Sequence, residues 1–593
     1  MPISSRTPLP PKPPRRAHAA LPLLWAALVL VLTLTPAADM PITPVWELLS
    51  FDTAAHAGVF VVLVGLSWHT LRRQTRWPRL ARYAGTIALL VSILFGGLIE
   101  LLQHTMRLGR HGDWTDLLSD AIGAALAAGG ATLWATRRRP LSGASGLLLL
   151  AMLAATGASA QDIARARRTI ERLAAPQMHG RGYVRQGERI AADYLRGRLK
   201  ALKLEPLAPN YTQPFTLDVN TFPGEVSASC SVNGPGMNCL GLGWQTGPAL
   251  IAAPNSGGGR VNGRIQVLDS TVFADTLKWA WWRQQPQRGR VLLMRKNVAD
   301  QLGKLPMAVR QQLDSAAAWI TVVPKLTASL ASYQAPQPRL EVLAARMPRW
   351  RTFDRYNNPV SMTLENGNIQ AFIALDAQLQ RNYPTQNLAA IIRGTAQPDS
   401  FLVISAHYDH LGMMGKNVYF PGANDNASGV ALLLELAAHY ARPENRPACS
   451  VVFLLFGAEE AGLVGSRYFV AHPLVPLRRV KFLVNLDLLG TGETGATVVN
   501  GRVFEVPYRR LLALHAARHD LPALGARGPA ANSDHFPFSE AGVPAFFIYT
   551  RGGSPAYHDV NDRPAALSLA GFAGAFGLVR DFLGELGAAP ARR

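Results

Sequence analysis

Residues 401–409, FLVISAHYD, combine an uninterrupted apolar run with an imidazole and a carboxylate directly behind it. Similar apolar runs recur further along the chain, and stretches of helical periodicity separate them. The runs lie at 401–406, 450–456, 480–486 and 545–549, and the helical stretches lie at 427–441 and 508–519. Because near-continuous apolar strands that alternate with helices are typical of a sheet buried on both faces, the sequence predicts an α/β domain. We expect a mixed, largely parallel central sheet with helices on both faces.

Polar residues follow each of these runs, at the edge of the sheet where α/β proteins bind ligands. They are His407 and Asp409 after the first run, Glu459 and Glu460 after the second, Asp487 after the third and His558 after the fourth. Asp425 lies in a glycine-flanked turn, GANDNASG at 422–429, before a helical stretch. Imidazoles and carboxylates without a thiolate suit Zn²⁺ or a similar divalent ion. A bridging carboxylate suits two ions about 3.5 to 4 Å apart.

In their order along the chain, these motifs resemble those of peptidase family M28, the co-catalytic zinc aminopeptidases. The resemblance implies a phosphorylase/hydrolase-like zinc peptidase architecture that binds two Zn²⁺ ions or other divalent metals. One ion would be held by His407 and Asp487, and the other by Glu460 and His558, with Asp425 bridging the two.

The same resemblance, which covers about residues 386–585, assigns the chemistry. Glu459 would be the general base, and Asp409 would orient His407. The implied reaction is the release of N-terminal amino acids from peptide substrates. The neighbouring triplet of residues 533–535 resembles a Ser/His/Asp set, but three adjacent residues seldom supply a catalytic triad, so we expect a structural role there. His410 receives no function.

Two other functions remain open from the sequence. One is glutaminyl cyclase-like chemistry on a similar metal-binding framework, and the other is a non-catalytic receptor for a peptide or cell-wall ligand. Loss of metal ligands would favour the receptor. All five implied ligands are present, so the enzymatic interpretation is favoured.

The first 160 residues have a different character, because they contain five apolar stretches near the length of a bilayer crossing. The stretches lie near 21–38, 55–70, 84–102, 117–136 and 143–160. Arginine-rich segments between them predict a multi-pass α-helical membrane domain in a bacterial inner membrane, with the region after Ala160 on the outer side. Much of the net charge of +21 therefore flanks membrane segments, which disfavours nucleic acid as a partner and favours membrane lipid. The sequence identifies no protein partner.

Polar residues at the ends of these stretches are Asp52, His56, Glu100, Gln103, Arg110, Asp113 and Asp116. Their spacing resembles that of the VanZ-like membrane family, and the resemblance covers residues 20–136. The predicted topology places Asp52, Glu100 and Asp113 near the outer face, where they could form one polar patch. The family resemblance defines a module without assigning it a reaction.

The sequence thus predicts six segments. They are a Pro/Arg-rich cytoplasmic tail at 1–19, the VanZ-like domain with four transmembrane helices at 20–140, a fifth transmembrane or signal-like segment at 141–160, a helical lead-in at 161–204, a β-rich inserted or accessory region at 205–385, and the zinc peptidase region at 386–593.

Overall fold

The chain forms two compact units, Met1–Ala158 and Ser159–Arg593. The computed structural model describes residues 20–34, 51–73, 77–106, 162–232, 242–347, 349–353, 359–363 and 369–588. In the first unit it gives four helices, α1 Ala20–Leu34, α2 Phe51–Arg73, α3 Pro78–Arg82 and α4 Ala84–Met106. Across all the residues described, no helix combines the length and the hydropathy needed to cross a bilayer.

The predicted polar patch of the first unit falls largely beyond what the structure describes. Asp52 and His56 belong to α2, and Glu100 and Gln103 to α4, but the side chains of these four residues lie outside the described set. Arg110, Asp113 and Asp116 lie outside it altogether, as do the predicted stretches at 117–136 and 143–160. The patch therefore stays a prediction.

The second unit mixes strands and helices. Its strands are β1 Glu205–Pro206, β2 Thr212–Thr221, β3 Val226–Val232, β4 Leu242–Trp244, β5 Leu250–Ala252, β6 Gly259–Leu268, β7 Arg290–Arg295, β8 Ala318–Val323, β9 Arg339–Leu343, β10 Arg349–Phe353, β11 Pro359–Thr363, β12 Ile369–Leu375, β13 Gln378–Ile392, β14 Gln397–His407, β15 Met413–Met414, β16 Val418–Tyr419, β17 Cys449–Phe456, β18 Val480–Leu486, β19 Ala496–Val499, β20 Leu524–Ala526 and β21 Ala545–Thr550. Its helices are α5 Ile163–Leu173, α6 Gly187–Ala201, α7 Ser270–Ala274, α8 Thr276–Gln284, α9 Lys296–Ala299, α10 Met307–Asp314, α11 Gly429–Tyr440, α12 Val464–Ala471, α13 Glu505–Arg518, α14 His535–Glu540 and α15 Phe572–Ala588.

A nine-stranded central sheet confirms the predicted mixed, largely parallel architecture. Its order is β1-β13-β17-β14-β18-β21-β19-β20, and β2 also pairs with β13. The four inner strands β17, β14, β18 and β21 run parallel, whereas β13 and β19 are antiparallel to their inner neighbours. Because parallel strands end at the same edge, everything that follows β14, β17, β18 and β21 is brought to one side of the sheet.

Helices cover both faces of this sheet, as the continuous apolar strands predict. On one face, α5, α6, α11 and α15 enclose a core with β14, β17 and β18, and on the other face α12 and α14 contribute Phe469 and Phe538. On the first face Phe482, Phe546 and Phe582 pack with ring centroids 4.7 to 5.8 Å apart. Full burial of each aromatic ring stabilises the fold by roughly 1.5 to 3 kcal/mol, so the strand register is firmly specified.

A second sheet is inserted between two neighbouring strands of the first. It has the order β4-β3-β12-β6-β7-β8-β9-β5 and its own core, with α8 and α10 packed against one face. The insertion leaves β2 after Thr221 and returns to β13 at Gln378, and these two residues are paired with each other. The predicted boundary between residues 385 and 386 falls inside β13, so the segments 205–221 and 378–385 belong to the central sheet.

Candidate metal centre

The predicted ligands converge at the carboxyl edge of the parallel strands. His407 is the last residue of β14 and is paired with Phe456, the last residue of β17. The segment after β17 carries Glu459, and Asp487 follows β18 directly. Local sequence determines this arrangement, because the apolar runs that must be buried in the sheet end where the ionisable residues begin.

Three carboxylates surround the buried imidazole of His407. Its Nε2 lies 3.4 Å from Asp425 Oδ1, 3.5 Å from Asp487 Oδ1 and 4.0 Å from Glu459 Oε2. His407, Asp425 and Asp487 offer ligand atoms close enough together to hold one metal ion. The structure therefore brings together the residues that the sequence assigns to the first ion.

The imidazole of His558 occupies the opposite side of Asp425. Its Nε2 lies 3.1 Å from Asp425 Oδ2 and 3.1 Å from Glu460 Oε2. Asp425 therefore directs one carboxylate oxygen toward each histidine. This is the arrangement that a carboxylate bridging two metal ions requires.

His410 is a site residue that the sequence analysis missed. It is fully buried, and its Nδ1 donates a hydrogen bond of 2.6 Å to Glu460 Oε1. Its ring lies edge-on to that of His558, with centroids 5.9 Å apart. His410, Asp425 and Glu460 form a second group that could hold a metal ion. The available signal was its position in the segment HYDH, just beyond the strand that ends at His407.

Asp409 supports three neighbours at once. Its carboxylate accepts hydrogen bonds from the main-chain N–H of Glu459 at 3.1 Å and of Glu460 at 3.3 Å. His407 Nδ1 lies 3.2 Å from the main-chain oxygen of Asp409 and 3.7 Å from its carboxylate oxygen Oδ1. The predicted contact with His407 is therefore made mainly by the carbonyl group, while the carboxylate fixes the turn that carries both glutamates.

The loop that carries Asp425 is held from two directions. The Asp562 carboxylate accepts hydrogen bonds from the N–H groups of Asn424 and Asp425, at 2.9 and 3.0 Å. From the other direction, the buried Arg181 guanidinium donates to the main-chain oxygens of Gly422 and Asp425. Burial lowers the pKa of Arg181 to about 10, which leaves it charged at neutral pH.

The triplet 533–535 contributes one contact to the centre. Ser533 Oγ donates a hydrogen bond of 2.8 Å to Asp487 Oδ2 and accepts one of 2.8 Å from Asn485 Nδ2. The hydroxyl proton is therefore directed to a predicted metal ligand and not to the neighbouring His535. This geometry supports a structural role for Ser533.

Hydrogen bonds with the histidines keep the central carboxylates ionised despite their burial. Burial would raise the pKa of Asp425, yet hydrogen bonds with His407 and His558 hold it well below its ordinary value. Burial and the charge of Asp425 would raise the pKa of Glu460, but His558 and His410 lower it to about 2. The carboxylates of Asp425 and Glu460 are therefore ionised and available to bind a cation.

In two other carboxyl groups, the effect of burial on the pKa outweighs the opposing effect of His407. Burial raises the pKa of Glu459 well above its ordinary value, and burial also raises that of Asp487. Among the described residues, Asp487 Oδ1 is buried without a hydrogen-bond partner. A cation between His407 and Asp487 would satisfy that oxygen. The imidazole and carboxylate groups, in the positions that the structure gives them, therefore fit a zinc site.

Comparison with known proteins identifies the region that carries these ligands. Residues 387–583 match the model of peptidase family M28, and residues 23–135 match that of VanZ/LLP1. Residues 387–583 form an M28 domain. The M28 domain contains the candidate metal ligands His407, Asp425, Glu460, Asp487 and His558, and a VanZ/LLP1 domain precedes it in the same chain.

Curated relatives of this chain include an aminopeptidase and a probable zinc metalloprotease. Aminopeptidase YwaD of Bacillus subtilis is 33% identical over 195 residues, which cover 30% of this chain and 40% of that protein. A probable zinc metalloprotease of Pyricularia oryzae is 39% identical over 113 residues, covering 18% of this chain and 22% of that protein. The chain therefore spans less than half the length of these two relatives.

Solved structures share the fold over a larger region. BSAP, a zinc aminopeptidase from Bacillus subtilis, is 20% identical with a TM-score of 0.50, and the match covers 72% of this chain and 96% of that one. A peptidase M28 precursor from Shewanella amazonensis is 15% identical with a TM-score of 0.52, covering 73% and 96% of the two chains. At these identities the likeness establishes the fold.

Proposed function

We propose that the M28 domain is a dinuclear zinc metallopeptidase that removes N-terminal amino acids from peptides. The observation that carries this proposal is the position of Asp425, whose two carboxylate oxygens lie 3.4 Å from His407 Nε2 and 3.1 Å from His558 Nε2. A single buried carboxylate between two imidazoles is suited to two cations held side by side.

Each ion would have its own protein ligands besides Asp425. His407 and Asp487 would hold one, and Glu460 and His558 the other. Two zinc ions bound there supply Lewis acidity, which polarises a scissile carbonyl and lowers the pKa of a water molecule.

Glu459 is the proposed general base. Its Oε2 lies 4.0 Å from His407 Nε2, at the edge of the ligand cluster, and burial raises its pKa above the ordinary value, which makes it a stronger base. It accepts a proton from the attacking water as the new C–O bond forms. It then gives that proton to the leaving nitrogen as the C–N bond breaks.

The VanZ/LLP1 domain supports association with membrane lipid, and the apolar stretches of the first 160 residues support the same proposal. We place the catalytic unit on the outer side of the inner membrane, because the arginine-rich loops favour that topology. Peptides outside the cytoplasm would then be the substrates.

A substrate panel tests the proposed reaction on the full chain. Metal is removed with a chelator and zinc is restored, and aminoacyl amides, N-blocked peptides and peptides with N-terminal glutamine are compared. We expect zinc-dependent hydrolysis of free-amine substrates and none of blocked ones. Cyclisation of N-terminal glutamine would instead indicate glutaminyl cyclase chemistry, and peptide binding without turnover would indicate a receptor.

A further inference from the structure

The inserted sheet contacts the candidate metal centre directly. Residues 324–338, here called the strap, connect β8 to β9 of the inserted sheet and run beside the loop that carries His558. His558 Nδ1 lies 2.8 Å from the main-chain oxygen of Ala328, and Ala328 donates its own N–H to the main-chain oxygen of His558 at 3.1 Å. The two residues are thus joined by a reciprocal pair of hydrogen bonds.

Further contacts fix the strap on both sides of this pair. Lys325 Nζ donates a hydrogen bond of 2.8 Å to the main-chain oxygen of Pro555, three residues before His558. Leu326 and Ala328 are buried in the core of the inserted sheet, and Val560 of the His558 loop packs into the same core. The His558 loop is therefore packed against the insertion and does not depend on the central sheet alone.

The carbonyl of Ala328 keeps a proton on Nδ1 of His558. A carbonyl oxygen only accepts hydrogen bonds, so Nδ1 must be protonated. The proton that metal binding would displace is therefore the one on Nε2, which faces Asp425 and Glu460, and the lone pair of the neutral imidazole is then on Nε2. That is the tautomer a metal ligand needs, and an outer partner of this kind also fixes the orientation of the ring.

The other candidate histidine obtains its partner locally. His407 Nδ1 lies 3.2 Å from the main-chain oxygen of Asp409, two residues away on the central sheet. The two imidazoles thus depend on different parts of the fold. His407 is oriented by its own segment, whereas His558 is oriented by the inserted sheet.

From this asymmetry we infer that the strap is a positioning element for one of the two metal sites, so that the inserted sheet sets the affinity of the ion at His558 and leaves the ion at His407 unaffected. The inference rests on the proposed two-metal function. It also gives the insertion a role that its sequence does not reveal.

Zinc titration of the full chain tests the inference. Ala328→Pro removes the N–H that binds the His558 carbonyl and displaces the paired oxygen, whereas Ser332→Pro places the same residue type at an exposed position of the strap. The wild type and both variants are stripped with a chelator and titrated with zinc in competition with a chromophoric chelator. His558→Ala and His407→Ala provide the reference curves for loss of either ion.

We expect two tight equivalents in the wild type and in Ser332→Pro. In Ala328→Pro one equivalent should stay at wild-type affinity and the other should weaken by about ten- to a hundred-fold, the usual effect of removing an outer partner of a metal ligand. Its curve should resemble that of His558→Ala. Circular dichroism should show a folded protein.

Two results would overturn the inference. Equal, unchanged affinities in Ala328→Pro would show that the strap does not position His558, and equal weakening of both ions would show that it acts on the fold as a whole. Fewer than two equivalents in the wild type would instead contradict the two-metal function. The wild-type titration therefore separates failure of the proposed function from failure of this inference.

Discussion

Arg181 Nη2 donates a hydrogen bond of 3.0 Å to the main-chain oxygen of Asp425, the residue that lies between the two candidate metal sites. The same guanidinium donates four further hydrogen bonds, so that all five of its N–H groups reach carbonyl oxygens. The acceptors are the main-chain oxygens of Leu173, Tyr408, Pro421, Gly422 and Asp425. Through these five hydrogen bonds the Arg181 guanidinium connects α5, the end of β14 and the loop that carries Asp425.

Arg181→Met should destabilise the protein and weaken zinc binding together. The change removes a donor from five buried carbonyl oxygens, of which that of Gly422 keeps a second hydrogen bond from the Ala427 N–H at 3.3 Å. Each group left unsatisfied costs roughly 1 to 3 kcal/mol, of which relaxation and water recover part. We expect a loss on the order of 3 to 5 kcal/mol. Arg181→Lys keeps the charge but supplies three donors, so its loss should be intermediate. Thermal melting and zinc titration of both variants measure the effects, and a melting temperature equal to that of the wild type would contradict them.

Glu459→Gln should retain zinc and lose activity. Glutamine has nearly the same shape but cannot accept the proton from water, so kcat should fall by about 10²- to 10⁴-fold. Metal content and steady-state rates are measured on the same preparation. Glu460→Gln is the matched control, because it removes the charge of the adjacent glutamate, which is a proposed metal ligand. It should therefore lower the zinc content as well as the activity. Loss of zinc from Glu459→Gln would reassign Glu459 as a ligand.

Asp425→Ala should reduce zinc binding more than Asp487→Ala. Removing Asp425 would take one ligand from each ion and the negative charge between two cations, whereas Asp487 lies beside the His407 imidazole and would serve one ion. We expect both equivalents to weaken in Asp425→Ala and one in Asp487→Ala. Equilibrium dialysis against zinc followed by metal analysis distinguishes the two variants. Equal stoichiometry in both would argue against a bridging role.

Much of this centre was predictable because its ligands lie at ends of strands that the hydrophobic pattern makes visible. The parallel order brings His407 and Asp487 to one edge, and the family resemblance implies that they share one ion, which stays a prediction. His410 escaped prediction because its importance depends on the direction of its ring toward Glu460. Nothing in the spacing of HYDH distinguishes a buried partner of a carboxylate from an exposed imidazole.

Long-range main-chain contacts were the other feature hidden from the sequence. Ala328 and His558 lie 230 positions apart in the sequence. Neither the methyl side chain of Ala328 nor the residues next to it indicate that its main chain contacts a histidine. The insertion boundaries were also obscured, since β13 continues through residue 385 as one strand with both polar and apolar segments. Pattern reasoning locates apolar faces well, but it does not reveal which carbonyl meets which side chain.

The pH dependence of stability should include a contribution from Glu188. This residue is buried on α6, where Oε1 accepts a hydrogen bond of 2.7 Å from the Tyr383 hydroxyl. Burial raises its pKa from 4.5 to about 7. Between these values the folded protein keeps a proton that the unfolded chain releases. The stabilising contribution of Glu188 to the free energy of unfolding is therefore fully present below about pH 4.5 and is lost as the pH rises through 7.

Glu188→Gln isolates this effect because an amide does not titrate. The stability of the wild type relative to the variant should fall by on the order of 3 kcal/mol between pH 4.5 and 7. Thermal melting temperatures of both proteins across this range give the difference. A difference that is constant with pH would show that Glu188 titrates alike in the folded and unfolded protein, so that its pKa is not raised by folding.

The last prediction concerns the side of the membrane on which the M28 domain works. The arginine clusters at 72–82 and 137–139 should both be cytoplasmic, because moving short arginine-rich loops outward opposes the insertion bias. One crossing then remains between Arg139 and Gln161. A reporter that is active only after export should be silent when fused after Arg139 and active when fused after Ala160. Replacement of Arg137, Arg138 and Arg139 by glutamate should weaken this difference, since the positive charges are its cause.

The sequence ending in Ala158-Ser159-Ala160 also resembles a signal cleavage site, so immunoblotting must show whether the active fusion is full-length or a released fragment. Activity after Arg139 or silence after Ala160 would place the peptidase in the cytoplasm and exclude an external pool of substrates.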